Sequence, residues 1–440
     1  MAEAKIVGED MISELSVDLL VVILGLIPTK DAVATMILSK RWLSIWTMVS
    51  RLEYKDADAD TDDEDDDDDD DESKKSVWWL LDKSLQLHEA PIDRLSVKLG
   101  TRCPADVDVG KWVAKAVACF VNKLEFKLLW SADPTTLPCS LYSCKSLVEL
   151  TLSHQITVDV PSSASLPSLI HLDLVCVVYK DEGSLLSLLS SCPVLNLLFV
   201  QRRKDDNIKK FTIKVPSLCE LWYSNFSLGN DSDTDRCLVL DAPALTSCNI
   251  SDSSGDSFYS IQDMPSLENA HIDVAACDDT FLASLSSVLS LCLFLCDALL
   301  MRCSTINFSR LIKLTISPYG SYGSSDSLNL ILLLLGNASK LQQLCVNYQS
   351  EPAEDLPGSW NQSNYVPLCL SSQLQIFEWG EYGNQPEEET FLTYIFANSK
   401  HLKTAIISLR SDFNLELQEL IIEELKYIPR VSTTSQLLFK

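Results

Sequence analysis

The chain has 440 residues, 46% of them hydrophobic, and a formal net charge of −27 at pH 7. Residues 56–72 hold 14 acids, so the remainder still carries −13. That excess excludes a phosphate backbone as main partner, because binding one needs clustered cations, while the length allows several domains' worth of core.

The first dense segment is helical. Leu15, Leu19, Leu20, Ile23, Leu24 and Ile27 recur at helical spacing, which predicts a helix with one apolar side. Pro28 ends it, and Thr29, Lys30 and Asp31 make a turn. A second apolar set follows at Val33, Met36, Ile37 and Leu38. Trp42 and Trp46 then share a helical face beside Lys40 and Arg41. A segment under ~40 residues cannot bury so much apolar surface alone, so a partner surface is expected.

This pattern resembles the F-box. The match is carried by Leu15, Asp18, Leu19, Leu20, Ile23, Leu24, Leu26-Ile27-Pro28 and the run Leu38-Ser39-Lys40-Arg41-Trp42. The resemblance implies a Skp-type adaptor, and through it a cullin ubiquitin ligase. The implied contact residues are Leu15, Ser16, Leu19, Ile23, Leu26, Ile27, Pro28 and Trp42. Two positions depart: family members usually have Pro where Ser16 stands and a basic residue where Leu43 stands.

The acidic run from Asp56 to Glu72 has no apolar residue beyond Ala57 and Ala59, so it is expected to be disordered. A calcium loop fits poorly, because the glycine that must follow the alternating acids is missing.

Beyond Trp78 an L-x-x-L-x-L triplet recurs thirteen times. It runs from Ile92/Leu95/Val97 through Leu172, Leu198, Leu221 and Leu314 to Leu402/Ala405/Ile407, with first members 21 to 33 residues apart. Proline stands two residues before the first anchor in five copies: Pro167, Pro193, Pro216, Pro243 and Pro265. The apolar residue before each is expected inside the coil. Such periodicity predicts a solenoid in which each coil gives one strand and stacking buries the ladder. It resembles a leucine-rich repeat without the asparagine ladder: the place three residues after each triplet holds Gln155, Val177, Arg203, Phe226 or Ser253, and only Cys296 fits. The basic cluster Arg202, Arg203, Lys204, Lys209 and Lys210 is broken by Asp205 and Asp206 and reads as a solvated loop. Phe281 to Cys296 is uncharged, but its 16 residues fall short of the ~20 a membrane helix needs.

The C-terminal triplets lie in a segment resembling the FBD domain of plant F-box/leucine-rich-repeat proteins. It is marked by Cys369 to Leu374, Phe377-Glu378-Trp379, Phe391 to Ile395, Ala397 to Lys403 and Ile428 to Ser432. Glu416 to Lys426 reads as an amphipathic capping helix. The expected organisation is an F-box over 8–54, a disordered acidic linker over 55–76, repeats over 77–365 and an FBD over 366–440. The fold class is α/β: a helical F-box, an irregular leucine-rich-repeat solenoid (horseshoe) and an FBD cap.

Fifteen cysteines, odd in number and without a Cys-x-x-Cys pair, fit a reducing cytoplasmic or nuclear setting. The acidic N-terminus has no secretory pattern. The five histidines are scattered, so no metal site is expected, and no phosphate loop or nucleophile elbow occurs. The resemblance therefore implies a non-catalytic substrate receptor without cofactor, holding a protein target, with no nucleic acid and no membrane. The alternative is a scaffold of the same fold that no longer joins a ligase, for which Ser16 is the motive. In a strand, residues between ladder positions point outward. This selects His171, Asp173, Phe199, Glu220, Trp222 and His271 as the target-binding face.

Overall fold

The computed structural model describes residues 12, 15–56, 76–104, 106–129, 133–203, 206–225, 236–253, 258–262, 264–275, 277, 279–318, 325–347 and 365–440. It forms two compact units, Met1–Leu195 and Asn196–Lys440.

The first unit opens with helices Val17–Leu24, Thr29–Ala34 and Lys40–Trp46. The single apolar side expected of the first helix divides in two. Leu20 and Leu24 are buried, whereas Leu19 and Ile23 stay exposed. The tryptophan pair divides likewise: Trp46 is buried and Trp42 only half-buried.

Strand Arg51–Lys55 follows and pairs in parallel with Arg94–Leu99. Lys123–Leu128, Glu149–His154 and His171–Val175 then add in chain order, all parallel. The sheet thus begins one coil before the first triplet, with Leu52 and Tyr54 in the ladder positions. This coil is tied to the helices. Glu53 N donates to Thr29 Oγ1 at 2.8 Å, the Tyr54 hydroxyl lies 2.7 Å from Ser84 Oγ, and Trp46 meets His88 edge-on at 6.3 Å.

The acidic run past Asp56 lies outside the described residues. Asp56 itself departs from the expectation of a disordered linker, because it is buried. Its carboxylate accepts from Ser76 Oγ at 2.8 Å, Val77 N at 2.5 Å and Gly100 N at 2.9 Å. One side chain therefore joins both ends of residues 57–75. The run is inserted inside the first coil, between two paired strands, instead of separating the helices from the sheet.

Among its described residues the second unit holds ten strands of one parallel sheet, from Leu197–Arg202 to Gln436–Phe439, and a second parallel sheet of three, Lys210–Lys214, Cys237–Asp241 and Phe258–Ile261. Ladder residues meet ladder residues: Leu198 faces Leu221, Leu221 faces Cys248, and Leu291 faces Leu314. Every member of the thirteen triplets, in both units, is buried. So are Leu166, Cys192, Val215, Ala242 and Met264, the residues before the repeat prolines. For the second and third members of each triplet the cause is strand alternation, which sends every second side chain to the core; the first members and the residues before the prolines lie ahead of the strands. Phe281 to Cys296 becomes helix Asp279–Ser284, a 3-10 turn and strand Ser290–Leu295. No helix among the described residues is long and apolar enough to cross a membrane.

The basic loop near Arg202 is not solvated at its core. Arg202 is buried, and its Nε donates to Asp206 Oδ2 at 2.8 Å. It also donates to the Tyr223 hydroxyl at 3.2 Å and to the Ile208 carbonyl, and it lies over the Phe211 ring. On the next coils Asn225 Nδ2 donates to Asp252 Oδ1, and the Tyr259 hydroxyl donates to Asp252 Oδ2, each at 3.1 Å. A buried polar ladder therefore exists, one residue earlier than the asparagine position of the standard repeat.

The C-terminal coils keep the same ladder. Trp379 packs against Phe391 and Tyr382, and the buried Glu388 caps helix Pro386–Asn398 by accepting from Gln385 N at 2.9 Å. Helix Leu415–Tyr427 buries Ile421 and Leu425 and leaves Leu420 and Tyr427 exposed.

Candidate functional site

Two surfaces stand out, one on the helices and one on the strands. On the helices, Leu19 is 53% exposed, Leu26 81% and Ile37 88%. Ile23, Ile27, Pro28 and Ser16 are exposed too, while Leu15 and Trp42 are half-buried. All eight residues expected to meet an adaptor thus retain accessible surface. Ile37, taken from the sequence only as part of a second apolar set, and Leu38, which also belongs to the F-box match, are exposed as well. Ser16 is the N-cap of the first helix: its Oγ accepts from Leu19 N at 3.4 Å. Arg41 Nη2 donates to the Leu15 carbonyl at 2.5 Å, which fixes the opening of the first helix to the third. An apolar surface held in shape by polar contacts behind it is suited to docking.

The outward strand residues fall into two groups. In the first unit His171 Nε2 lies 2.7 Å from Asp173 Oδ1, and Thr151 Oγ1 donates to Asp173 Oδ2 at 2.8 Å. In the second unit Phe199 and Trp222 face each other across paired strands. Trp222 is 43% exposed, and its indole N–H donates to Glu220 Oε1 at 2.8 Å. Asn249 separates Trp222 from His271 in the register. The His271 ring lies 5.1 Å from Phe294, and burial lowers its pKa. The structure therefore groups Phe199, Glu220 and Trp222, places His271 two strands further on, and pairs His171 with Asp173 in the other unit.

Sequence reasoning missed one arrangement. Arg51, Arg94 and Lys123 align in register, as do Lys55, Lys98 and Lys127, on either side of Glu53, Ser96 and Glu125. Burial works to raise the pKa of Glu125, but Lys98 and Ser96 bring it below the usual carboxylate range. A cation repeated four residues apart within each strand was the available signal; the strands themselves lie far apart in the chain.

Among the described residues no group of His, Cys, Asp and Glu is placed to hold a metal. Burial pushes the thiols of Cys248, Cys303 and Cys369 up to about 12, so they act as small hydrophobes.

Comparison with known proteins agrees with this geometry. Residues 12–54 match the F-box domain profile. Residues 109–271 match the leucine-rich repeats of FBD-associated F-box protein At5g56370, and residues 362–407 match the FBD profile. An FBD-associated F-box protein of Arabidopsis thaliana is 63% identical over 457 aligned residues, covering 100% of both chains. An F-box/FBD/LRR-repeat protein of the same plant is 44% identical, covering 98% of this chain and 91% of its own. Another is 38% identical, covering 98% of this chain and 100% of its own.

Proposed function

This chain belongs to the F-box/FBD/LRR-repeat protein family, and from that premise we propose that it is the substrate-recognition subunit of a Skp–cullin–F-box ubiquitin ligase. In this reading its first helices hold the Skp-type adaptor, its outward strand faces hold a protein target, and thioester chemistry belongs to other subunits. It works in the cytoplasm or nucleus.

The observation that carries the reading is the apolar helical face. Leu19, Ile23, Leu26 and Ile27 are exposed although each is apolar. Nothing in the fold requires them there, since Leu20 and Leu24 already anchor the helix. A partner that buries them explains both their chemistry and their position.

The test is titration of the full chain with a plant Skp-type adaptor. Leu19→Ala with Ile27→Ala removes two interface anchors at ~2 kcal/mol each, which is an affinity loss of about a thousandfold. The fold should hardly notice, because exposed side chains contribute little to it. Ser16→Pro should preserve or tighten binding. Residue 16 already has φ −61° and ψ 153°, which proline adopts without strain. Stiffening the free chain then offsets the lost cap. Unchanged binding by the double variant rejects the proposal.

A further inference from the structure

Past the ladder positions of the second unit, one outward row runs Phe294, Ser317, Asn347 and Gly380. Register pairs Phe294 with Ser317 and Asn347 with Gly380, and Asn347 Nδ2 donates to Ser317 Oγ at 3.1 Å. The row ends at a glycine without a side chain, and a cavity of 420 Å³ opens there. Pro318, Glu378, Glu381 and Ser408 complete its lining. Two local features create the space. Gly380 contributes no side chain; a Cβ there would lie 2.3 Å from Asn347 Oδ1. The strand then bulges between Trp379 and Tyr382, with Glu381 in the left-handed region at φ 57°. That conformation disfavours a residue other than glycine, and such outliers gather where a site needs a particular shape.

The chemistry of the lining is one-sided. It offers two carboxylates, the hydroxyls of Ser317 and Ser408 and an amide oxygen, against an aromatic wall at Phe294. Asp273 stands opposite Phe294 on the neighbouring strand. Acceptors beside a ring face suit a cation. An ammonium already reaches this place, since Lys440 Nζ lies 3.2 Å from Glu378 Oε1.

We propose that this cavity receives a lysine or arginine side chain of a protein partner, with Glu378 as counter-ion, and that Lys440 competes for the same carboxylate. The inference rests on the substrate-receptor reading only in making the partner a protein. It adds the chemistry of that partner: a basic side chain displayed on an accessible segment.

The test uses the full chain and a terminally blocked pentapeptide, Gly-Ser-Arg-Ser-Gly, with its citrulline twin, followed by saturation-transfer NMR. A single charge is used because a polycation would bind the dense acids of residues 58–72 in the sequence. The arginine peptide should bind about tenfold more tightly than the twin, a difference of about 1.4 kcal/mol. Glu378→Gln should remove that difference, and Lys440→Gln should strengthen binding about threefold. Glu149→Gln, the same charge change in the other unit, should alter nothing. Gly380→Ala should weaken binding by forcing the Asn347 amide into the cavity, and its melting curve tells whether the fold is kept. Equal binding of both peptides, or full binding by a folded Glu378→Gln variant, overturns the proposal. Adaptor titration of the same samples separates the two ideas. Loss of the adaptor with retained peptide preference sinks the ligase reading alone, and the reverse sinks only the cavity.

Discussion

His88 gives a test of how the helices are joined to the sheet. It follows helix Trp78–Leu87, is fully buried and packs against Trp46. Burial, with the charge of Lys115 adding to it, pushes the imidazole down from 6.5 to about 4. The folded state therefore refuses a proton that the unfolded chain accepts. Its stability is complete above about pH 6.5, is lost as the pH falls toward 4, and changes no further from this group below that. A shift of that size corresponds to about 3 kcal/mol, of which about 1.4 kcal/mol is already lost near pH 5.5. His88→Leu removes the titration and keeps an apolar side chain of comparable volume. Because a chain of two units need not unfold in one step, the assay is hydrogen exchange of the peptide covering residues 40–55, corrected for intrinsic rates. Between pH 7.5 and 5.5 the natural chain should lose about 1.4 kcal/mol more protection there than the variant does. Equal losses would mean that His88 protonates as freely as in water, and the account of its burial would fail.

The buried pair of the second unit should be strongly coupled. Arg202→Ala or Asp206→Ala alone should cost ~3–5 kcal/mol, because each strands a charge in the core, while the double variant should cost less than the sum of both. Urea denaturation of the three variants measures this, and additive losses would show the two groups to be independent. On the outward strand face, Phe199→Ser with Trp222→Ser should abolish capture of the target while adaptor affinity and melting temperature stay near their original values. If that variant unfolds, both rings belong to the core and the face is wrongly placed.

The fold was legible because its rule is local and repeated. A triplet recurring thirteen times fixes which face of each strand is buried, and a one-residue slip would expose the whole ladder. That is why Leu172, Leu198, Leu221 and Leu314 could be placed in the core from spacing alone. The polar ladder was harder to read. Arg202 belongs to the core only because Asp206, Tyr223 and Phe211 converge on it, and the last two arrive from later strands. The rows Arg51-Arg94-Lys123 and Lys55-Lys98-Lys127 were missed for the same reason: charge clusters of this kind exist only after the strands stack. The cavity needs more still. A bulge at Glu381 and a glycine beside Asn347 have no periodic signature.

The place of the acidic run bears on how such a receptor could work. Read as a linker, residues 55–76 would let the helices swing on a flexible chain, and the distance from adaptor to target would be undefined. Among the described residues no such joint separates the helices from the first strand. Residues 12–54 match the F-box, yet strand Arg51–Lys55 is also the first strand of the sheet, so module and sheet share an element. Thr29 holds Glu53, Ser84 holds Tyr54, and Trp46 closes on His88. Asp56 then brings Ser76 and Val77 back beside it, so the inserted acids do not part the strands that flank them. A functional surface is most reliable when rigid elements carry it. Here the exposed face of Leu19 and Ile23 and the outward rows of the first coils belong to one packed body. An adaptor held by the helices would therefore fix the direction in which those first coils present whatever they bind.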